Sequence, residues 1–312
     1  MPARPRTTQP AIRWWPVLVL PVVGLAASAC DSGGGAVRAE APTTPVTIPV
    51  SPLPASSAEA APTTVTTVAP TTEAPTTTAA PTTTLAPNVE IVGASAVPIP
   101  AVGTGDGDGT RVVQERLLQL GFWNAGADGD YGHSTKQAVM AFQKYLGLPA
   151  TGSVDETTAA YMTNVGGRGH GTADTGDLVE VDKSKQLLFI VRGGKTVWII
   201  NASTGSEVAY EEPNKKDPTK IETGDSITPV GLFKVTRERA EGWWEGDLGE
   251  IYRPKYFRGG VAVHGSNNIP NYAASHGCVR ISTSAMDFIW DNDLIPMRSV
   301  VWVHGNIPLA PL

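Results

Sequence analysis

The groups in this sequence that could do covalent chemistry are one cysteine and two nearby histidines. Cys278 stands in the segment Ser275-His276-Gly277-Cys278-Val279-Arg280, and it is one of only two cysteines among 312 residues. His264 lies a short loop upstream, in Val263-His264-Gly265. A thiol attacks as its thiolate, and a neighbouring imidazole lowers the thiol pKa and accepts the proton. The combination predicts nucleophilic catalysis by Cys278.

Two histidines are candidates for the base that activates Cys278. In an extended segment residues i and i+2 point to the same side, so His276 is close to the thiol but poorly placed for in-line proton exchange. His264 ends an apolar strand, and the loop that follows can bring its ring back to the thiol. We therefore expect His264 to be the base. The other histidines have no reactive neighbour and are interpreted as ordinary core or surface residues: His133, His170 and His304.

The backbone around Cys278 suits acyl transfer. Gly277 lets the chain approach a substrate closely, because glycine has no Cβ. The amides of His276, Gly277 and Cys278 could donate hydrogen bonds to a developing oxyanion. If a helix began at Cys278, the partial positive charge at its N-terminus would also favour the thiolate. Residues 283–291, shortly after the cysteine, have helical spacing.

Two other kinds of site are not expected. A structural zinc site wants four ligands, usually with cysteine pairs, whereas His264, His276 and Cys278 supply three and no fourth presents itself. We therefore expect no metal. The formal net charge is −6 and the sequence has no basic cluster, so a nucleic-acid partner is not expected either. The oligomeric state stays open.

Residues 1–29 are predicted to be an export signal. Arginines precede an apolar run, and the small residues Ala27-Ser28-Ala29 come directly before Cys30. Small residues before a cysteine resemble a bacterial lipobox, which would make Cys30 the lipidated first residue; they also fit an ordinary A-x-A cleavage site. We expect a lipoprotein on the outer face of the cytoplasmic membrane that reaches into the cell wall, with a secreted protein as the alternative. Export would leave Cys278 without a disulfide partner in the folded part.

Residues 30–102 are predicted to be a disordered tether that follows the lipidated cysteine. The stretch repeats Ala-Pro-Thr-Thr with almost no charge and no aromatic residue. Such a chain cannot bury enough apolar surface to offset its ordering entropy, and frequent proline favours an extended spacer.

The rest of the chain divides into a helical part and a β part. Apolar stripes and stop glycines predict three helices in the first, the second capped by Ser134. Alternating apolar residues predict strands in the second, including a hairpin around Arg192-Gly193-Gly194. The predicted fold class is multidomain: a small three-helix α module followed by a mostly antiparallel β domain with one main helix. The expected boundaries are 103–165 for the module, 166–176 for a flexible glycine-rich hinge, 177–305 for the β domain and 306–312 for a tail.

Four segments of the helical module share a family pattern. They are Val113-Gln114-x-x-Leu117-x-x-Leu120-Gly121-Phe122, Asp128-Gly129-x-Tyr131-Gly132, Thr135-x-x-Ala138-Val139-x-x-Phe142-Gln143 and Gly152-x-Val154-Asp155-x-x-Thr158. With them the module resembles the peptidoglycan-binding domain 1 family, three-helix modules that bind the bacterial wall. Most of these residues are structural, so the resemblance implies the fold more strongly than it implies ligand binding.

Three segments of the β domain share a second pattern. They are Thr228-Pro229-Val230-Gly231-x-Phe233-x-Val235, Val263-His264-Gly265 and the segment from Ser275 to Arg280. With them the domain resembles the YkuD family, the catalytic domain of L,D-transpeptidases, which cross-link bacterial cell wall. The resemblance implies Cys278 as nucleophile and His264 as proton acceptor and donor, oriented by the backbone carbonyl of Gly265. It also implies four residues that shape the acyl site: Ser275, His276, Gly277 and Arg280.

The resemblance implies a reaction that needs no cofactor. Cys278 would attack the carbonyl of the third residue of a peptidoglycan stem peptide, terminal D-Ala would leave, and an amine of another stem would take the acyl group in a 3→3 cross-link. Water as acceptor would give an L,D-carboxypeptidase. A non-catalytic wall-attachment protein and a cysteine peptidase with another substrate are the competing hypotheses. Carbapenem-type β-lactams would acylate Cys278, and Tyr256, in an aromatic stretch before His264, is the candidate lid residue.

Overall fold

The structure is a computed structural model that describes residues 89–308 and Leu312. The predicted export signal, Cys30 and the Ala-Pro-Thr-Thr repeats lie outside the described residues. In the part of the chain that is described, no helix is both long and apolar enough to cross a membrane.

The first described part is a three-helix module. Asp155 caps the third helix, because its carboxylate accepts a hydrogen bond from the Thr158 amide at 2.8 Å. The second helix ends before Gly147, whose left-handed φ of 70° stops the helix. The helices are α1 (Asp108–Gln119), α2 (His133–Leu146) and α3 (Glu156–Asn164). The fully buried side chains between them include Val113, Leu117, Val139, Phe142 and Met162.

The start of α2 differs from the sequence-based prediction. The residue before the helix is Gly132, and no side chain caps this end. The hydroxyl of Ser134, the predicted cap, accepts a hydrogen bond from the Ala125 amide at 2.7 Å. The cap prediction is therefore wrong, because this hydroxyl holds the preceding loop and not the helix terminus.

The end of the predicted tether is packed against the module. The amides of Val92 and Gly93 both donate to the carbonyl of Gly166, at 2.8 and 2.9 Å. Ile99 is 6% exposed, and its amide donates to the Thr163 hydroxyl. Isoleucine and valine replace the threonine-proline repeats here, so burial can offset the ordering entropy. The ordered module thus begins before residue 103.

The glycine-rich segment that was predicted as a hinge is also held by contacts. The Gly169 amide donates to the Leu120 carbonyl at 2.8 Å, and the Gly171 amide donates to the Thr196 hydroxyl at 2.9 Å. At Gly171 a Cβ would collide with the carboxylate of Glu180. These glycines allow close approach of the chain rather than free rotation.

The second described part contains two β-sheets and one helix. The first sheet has the strand order β3-β2-β1-β12-β6 and the second the order β11-β10-β9-β7, with β8 also on β9 and a separate β4-β5 hairpin. The pairs β1-β12 and β10-β11 are parallel, and the other pairs are antiparallel. The predicted fold class is thereby confirmed. The elements are β1 (Leu178–Asp182), β2 (Leu187–Arg192), β3 (Lys195–Asn201), β4 (Ala209–Pro213), β5 (Ile221–Asp225), β6 (Gly231–Lys234), β7 (Arg237–Glu238), β8 (Trp243–Gly246), β9 (Gly249–Arg258), β10 (Val261–Ser266), β11 (Val279–Ser282), α4 (Thr283–Asp291) and β12 (Val300–His304).

Strand β2 is buried on both faces and joins the two parts. Its side chains alternate between two apolar clusters, because successive residues of a strand point to opposite faces. Leu188 and Ile190 belong to the cluster formed with the second sheet and α4. Leu187, Phe189 and Val191 belong to the cluster formed with the module helices. The module is therefore the outer layer of the first sheet.

Polar contacts accompany this apolar junction. Lys144 on α2 is 2% exposed, and its ammonium donates to the carbonyls of Ala202 at 3.1 Å and Gln186 at 3.4 Å. Burial lowers the pKa of Lys144 to about 7. Beside it, the Asn201 amide donates to the side-chain oxygen of Gln137 at 2.5 Å. The two parts are thus joined by buried hydrogen bonds as well as by packing.

Candidate active site

Adjacent strands place the candidate catalytic residues on one face of the second sheet. Strands β10 and β11 run parallel, with Val263 opposite Val279 and His264 opposite Arg280. Both valines point into the apolar core. The intervening positions point the other way, so His264, Cys278 and Arg280 line one cavity of about 620 Å³.

Cys278 does not stand at a helix N-terminus. It immediately precedes β11, and α4 begins only at Thr283, after that strand. The cap of α4 is Ser282, whose hydroxyl accepts from the Ala285 amide at 3.1 Å. The suggestion that the helix terminus acts on the thiol is therefore wrong, because Val279 and Ile281 alternate as a short buried strand in between.

The surroundings of Cys278 favour the thiol over the thiolate. Its sulfur lies 3.7 Å from the Gly260 carbonyl oxygen, to which the S–H donates. Burial raises the pKa of the Cys278 thiol above its usual value, and the Ala262 amide and the positive charge of Arg280 offset this only in part. Attack by Cys278 would therefore start from a thiol and would need a base.

His264 is a buried, neutral imidazole. Its side chain is 3% exposed, and its Nδ1 lies 2.8 Å from the carbonyl oxygen of Gly265. Burial lowers its pKa to about 4; the Gly265 carbonyl opposes this, and the charge of Arg280 adds to it. A proton on Nδ1 donates to the carbonyl and leaves the lone pair on Nε2. A Cβ at Gly265 would lie 2.8 Å from the ring of Tyr252, so the close approach here needs glycine.

The segment before Cys278 is held by short-range and long-range hydrogen bonds. The Ser275 hydroxyl donates to the Cys278 carbonyl and accepts from the Gly277 amide at 3.0 Å. Gly277 has a φ of 126°, a conformation that favours glycine. Its carbonyl accepts from the Thr228 hydroxyl at 2.7 Å. Thr228 is therefore a positioning residue that sequence reasoning did not identify, although it opens the segment Thr228-Pro229-Val230-Gly231.

His276 contacts the β4-β5 hairpin. Its Nε2 lies 3.2 Å from a carboxylate oxygen of Glu212, and its ring meets Tyr210 edge-on at 4.7 Å between centroids. Among the described residues this carboxylate is the side-chain partner of the His276 ring nitrogen, so the imidazole is tied to the hairpin. His276 thus connects the thiol-bearing segment to the wall of the cavity.

Two hairpin tips meet over the cavity. The Lys216 ammonium, beyond β4, lies 3.1 Å from the carboxylate of Asp247 in the β8-β9 turn. The Lys215 amide donates to the Asp247 carbonyl at 2.8 Å. Lys216, Asp247 and Trp244 line the cavity. This contact between the hairpins, here called the roof, lines the same cavity as Cys278.

Tyr256, the predicted lid residue, is part of a wall. It lies within β9, is 5% exposed and pairs with Ala262 of β10. The guanidinium of Arg237 lies 3.9 Å from the centre of its ring. Tyr256 lines the catalytic cavity from this strand, and a role as a lid stays a prediction. The aromatic residue in the roof is Trp244, which is 41% exposed.

The three other histidines have contacts of their own, outside the lining of the catalytic cavity. His304 Nε2 lies 2.8 Å from Glu180, which is fully buried, and His170 Nδ1 lies 2.9 Å from the Gly171 carbonyl. His133 starts α2 and lines a second cavity. Within residues 89–308, no three histidine, cysteine, aspartate or glutamate side chains come together as a metal site would require.

Two family models match this chain. Residues 176–303 match the YkuD model, described as the L,D-transpeptidase catalytic domain. Residues 106–162 match a peptidoglycan binding domain model. The matches cover the β domain and the helical module and agree with the resemblances inferred from their motifs.

Solved structures and curated proteins were also compared. The crystal structure of an L,D-transpeptidase from Xylanimonas cellulosilytica is 43% identical, with a TM-score of 0.59, and the match covers 67% of this chain and 98% of that one. An L,D-transpeptidase structure from Stackebrandtia nassauensis is 21% identical, with a TM-score of 0.38 and coverage of 69% and 100%. The search of curated proteins found no match. From the first structure and the YkuD model, this chain belongs to the L,D-transpeptidase family.

Proposed function

We propose that this chain forms 3→3 cross-links in peptidoglycan through an acyl group carried on Cys278. The observation that supports the proposal is the cavity that His264 and Arg280, which are paired on β10 and β11, share with Cys278, which directly precedes β11. A thiol and a neutral imidazole that can take its proton are the two groups that thiol acyl transfer requires. The peptidoglycan-binding module supports the choice of substrate.

The first half-reaction makes a thioester. Nε2 of His264 takes the thiol proton while the Cys278 sulfur attacks the carbonyl carbon of the third stem residue. The bond from this carbon to the nitrogen of terminal D-Ala then breaks, and the imidazolium returns the proton to the leaving amine. Because both side chains are neutral at rest, proton transfer accompanies the attack.

The second half-reaction transfers the acyl group. The side-chain amine of another stem attacks the thioester, its proton passes to His264, and the carbon–sulfur bond breaks. The oxyanion of each intermediate needs amide donors. The Gly277 amide already donates to Ser275, so we assign this task to the amides of His276 and Cys278. Arg280 adds a positive charge beside the reacting atoms.

Product analysis tests the proposal. Full-length protein is incubated with purified disaccharide-tetrapeptide muropeptides, and the products are weighed by mass spectrometry. We expect a dimer whose mass equals two muropeptides less one alanine. Cys278→Ala should give no dimer, whereas Cys30→Ser, which changes the other cysteine, should keep it. A dimer from the Cys278→Ala protein would overturn the assignment of the nucleophile.

The same experiment separates the alternatives. Loss of alanine without a dimer would indicate an L,D-carboxypeptidase with water as acceptor. Binding without any change in mass would indicate a wall-attachment protein. An intact-mass measurement with a carbapenem should add one drug mass to the wild-type protein and none to Cys278→Ala, because a strained lactam carbonyl suits a thiol assisted by a base.

We also propose that Cys30 is lipidated and that the protein is held at the outer face of the cytoplasmic membrane. The small residues before Cys30 and the long Pro/Thr-rich stretch after it support this. The full-length protein should then partition with membranes, and Cys30→Ser should release it or block its processing. Mature protein that begins at Asp31, or that is free in the medium, would contradict the anchor.

A further inference from the structure

A second cavity lies where the module meets the β domain. It has a volume of about 480 Å³ and is lined on one side by α2 and residues 150–151, and on the other by the loop 267–271. This loop follows β10, the strand that carries His264. The cavity is therefore built jointly by the peptidoglycan-binding module and the catalytic domain.

The second cavity adjoins the catalytic one. Asn268 lines both cavities. It follows His264 by four residues, so at most roughly 14 Å of chain separates the two Cα atoms. Three residues of an extended stem peptide span roughly 10 Å. A peptidoglycan strand that places its stem at Cys278 can thus have its sugar portion near Asn268.

The loop between the cavities is fixed while two of its side chains are free to bind. The Gln137 side chain donates to the Ile269 carbonyl at 3.4 Å, and the Asn271 side chain donates to the Ala150 carbonyl at 3.3 Å. Asn267 and Asn268 are exposed. Among the described residues, neither of these two side-chain amides has a hydrogen-bond partner. The loop thus presents free side-chain donors and acceptors next to its contacts with the module.

The lining has the chemistry of a carbohydrate site. Side-chain amides and the ammonium of Lys136 supply hydrogen bonds, and the nearly buried Met140 and Ile269 add a small apolar surface. Lys136 is exposed and forms no ion pair within the described residues. The lining residues include no aspartate or glutamate. Such a surface suits acetamido and hydroxyl groups with one apolar face, which is the chemistry of an acetamido sugar.

We propose that this junction cavity binds the acetamido-sugar portion of the peptidoglycan strand whose stem peptide occupies the catalytic cavity. The inference rests on the proposed function, because it takes the stem peptide as the ligand at Cys278. The site would make the donor strand a ligand of both parts of the protein at once. Binding of the sugar would also orient the stem toward the thiol.

Comparing ligands with and without sugar tests the proposal. The full chain carrying Cys278→Ala, which prevents turnover, is titrated by calorimetry with a disaccharide-tetrapeptide and with the free tetrapeptide. We expect the disaccharide to tighten binding about tenfold. Lys136→Gln combined with Asn267→Ala should bring the ratio of the two Kd values close to one while the Kd of the free tetrapeptide stays the same. Lys195→Gln, an exposed lysine on β3, is the matched control and should keep the tenfold ratio.

The outcomes separate this inference from the proposed function. A ratio near one in the parent protein, or an unchanged ratio in the double variant, would overturn the sugar site, whereas product formation by the cysteine-containing enzyme would still support the transpeptidase. Absence of binding by both ligands, together with absence of product, would overturn both. Because the ratio is measured within each variant, a general loss of folding cannot imitate the expected result.

Discussion

The low pKa of His264 predicts an unusual dependence of acylation on pH. A neutral imidazole must take the thiol proton, so the rate follows the neutral fraction of His264. Its pKa is lowered, so the base is present above a pH of about 4 and is lost as the pH falls through that value. The difference from the ordinary value of 6.5 corresponds to about 3 kcal/mol against the imidazolium.

The size of the effect follows from these two pKa values. At pH 5, a histidine with a pKa of about 4 is roughly 90% neutral, whereas one with the ordinary pKa is roughly 3% neutral. Between pH 8 and pH 5 we therefore expect the acylation rate to stay nearly constant. An exposed histidine in the same role would slow the reaction about 30-fold over this range.

Carbapenem acylation measures this dependence. The second-order rate constant is followed by intact mass from pH 3.5 to pH 8.5 at constant ionic strength, with short reaction times. Iodoacetamide alkylation of Cys278, measured in parallel, reports the pKa of the thiol, which should lie above its usual value. An inflection between pH 6 and pH 7 in acylation, or a thiolate at neutral pH, would refute the picture of two neutral groups.

Two further predictions come from charges near the core of the β domain. The charge of Arg280 lowers the pKa of both His264 and Cys278. Arg280→Gln should therefore move the acid inflection of the acylation rate to higher pH and raise the pKa of the thiol further. If both values stayed the same, the charge of Arg280 would be screened from the cavity. The hydrogen bond to Glu180 raises the pKa of His304, so this pair stabilises the fold below about pH 6.5 and the effect is lost as the pH rises through the raised pKa. The difference in unfolding free energy between wild type and Glu180→Gln should be larger at pH 6 than at pH 8 in urea denaturation, and an equal difference would show that the pair does not titrate there.

Local patterns in the sequence predicted two elements of the β domain. The hairpin around Arg192-Gly193-Gly194 and the helix over residues 283–291 both follow from turn residues and apolar periodicity. The segment around Cys278 indicated a thiol site because reactive residue types are concentrated within six positions. Such features depend on neighbours in the chain, so the sequence contains the information directly.

Contacts between distant residues could not be predicted in this way. Glu212 reaches His276 across 64 positions, and Thr228 reaches Gly277 across 49. Strand β4, which carries Glu212, alternates between exposed and partly buried residues without a strong apolar pattern. Its position depends on tertiary contacts, which override local propensity. The position of Tyr256 could not be predicted either. Aromatic composition alone does not distinguish a residue in the wall of the cavity from one in its roof.

The two-faced burial of β2 has a consequence for the order of maturation. The helices of the module precede β2 in the chain and are synthesised first, yet their apolar cluster includes Leu187, Phe189 and Val191. Until this strand arrives, the module exposes the face that these side chains cover. The apolar core of the module is therefore incomplete until β2, a strand of the β domain, packs against it. Packing of β2 thus completes the apolar core of the module and that of the β domain together.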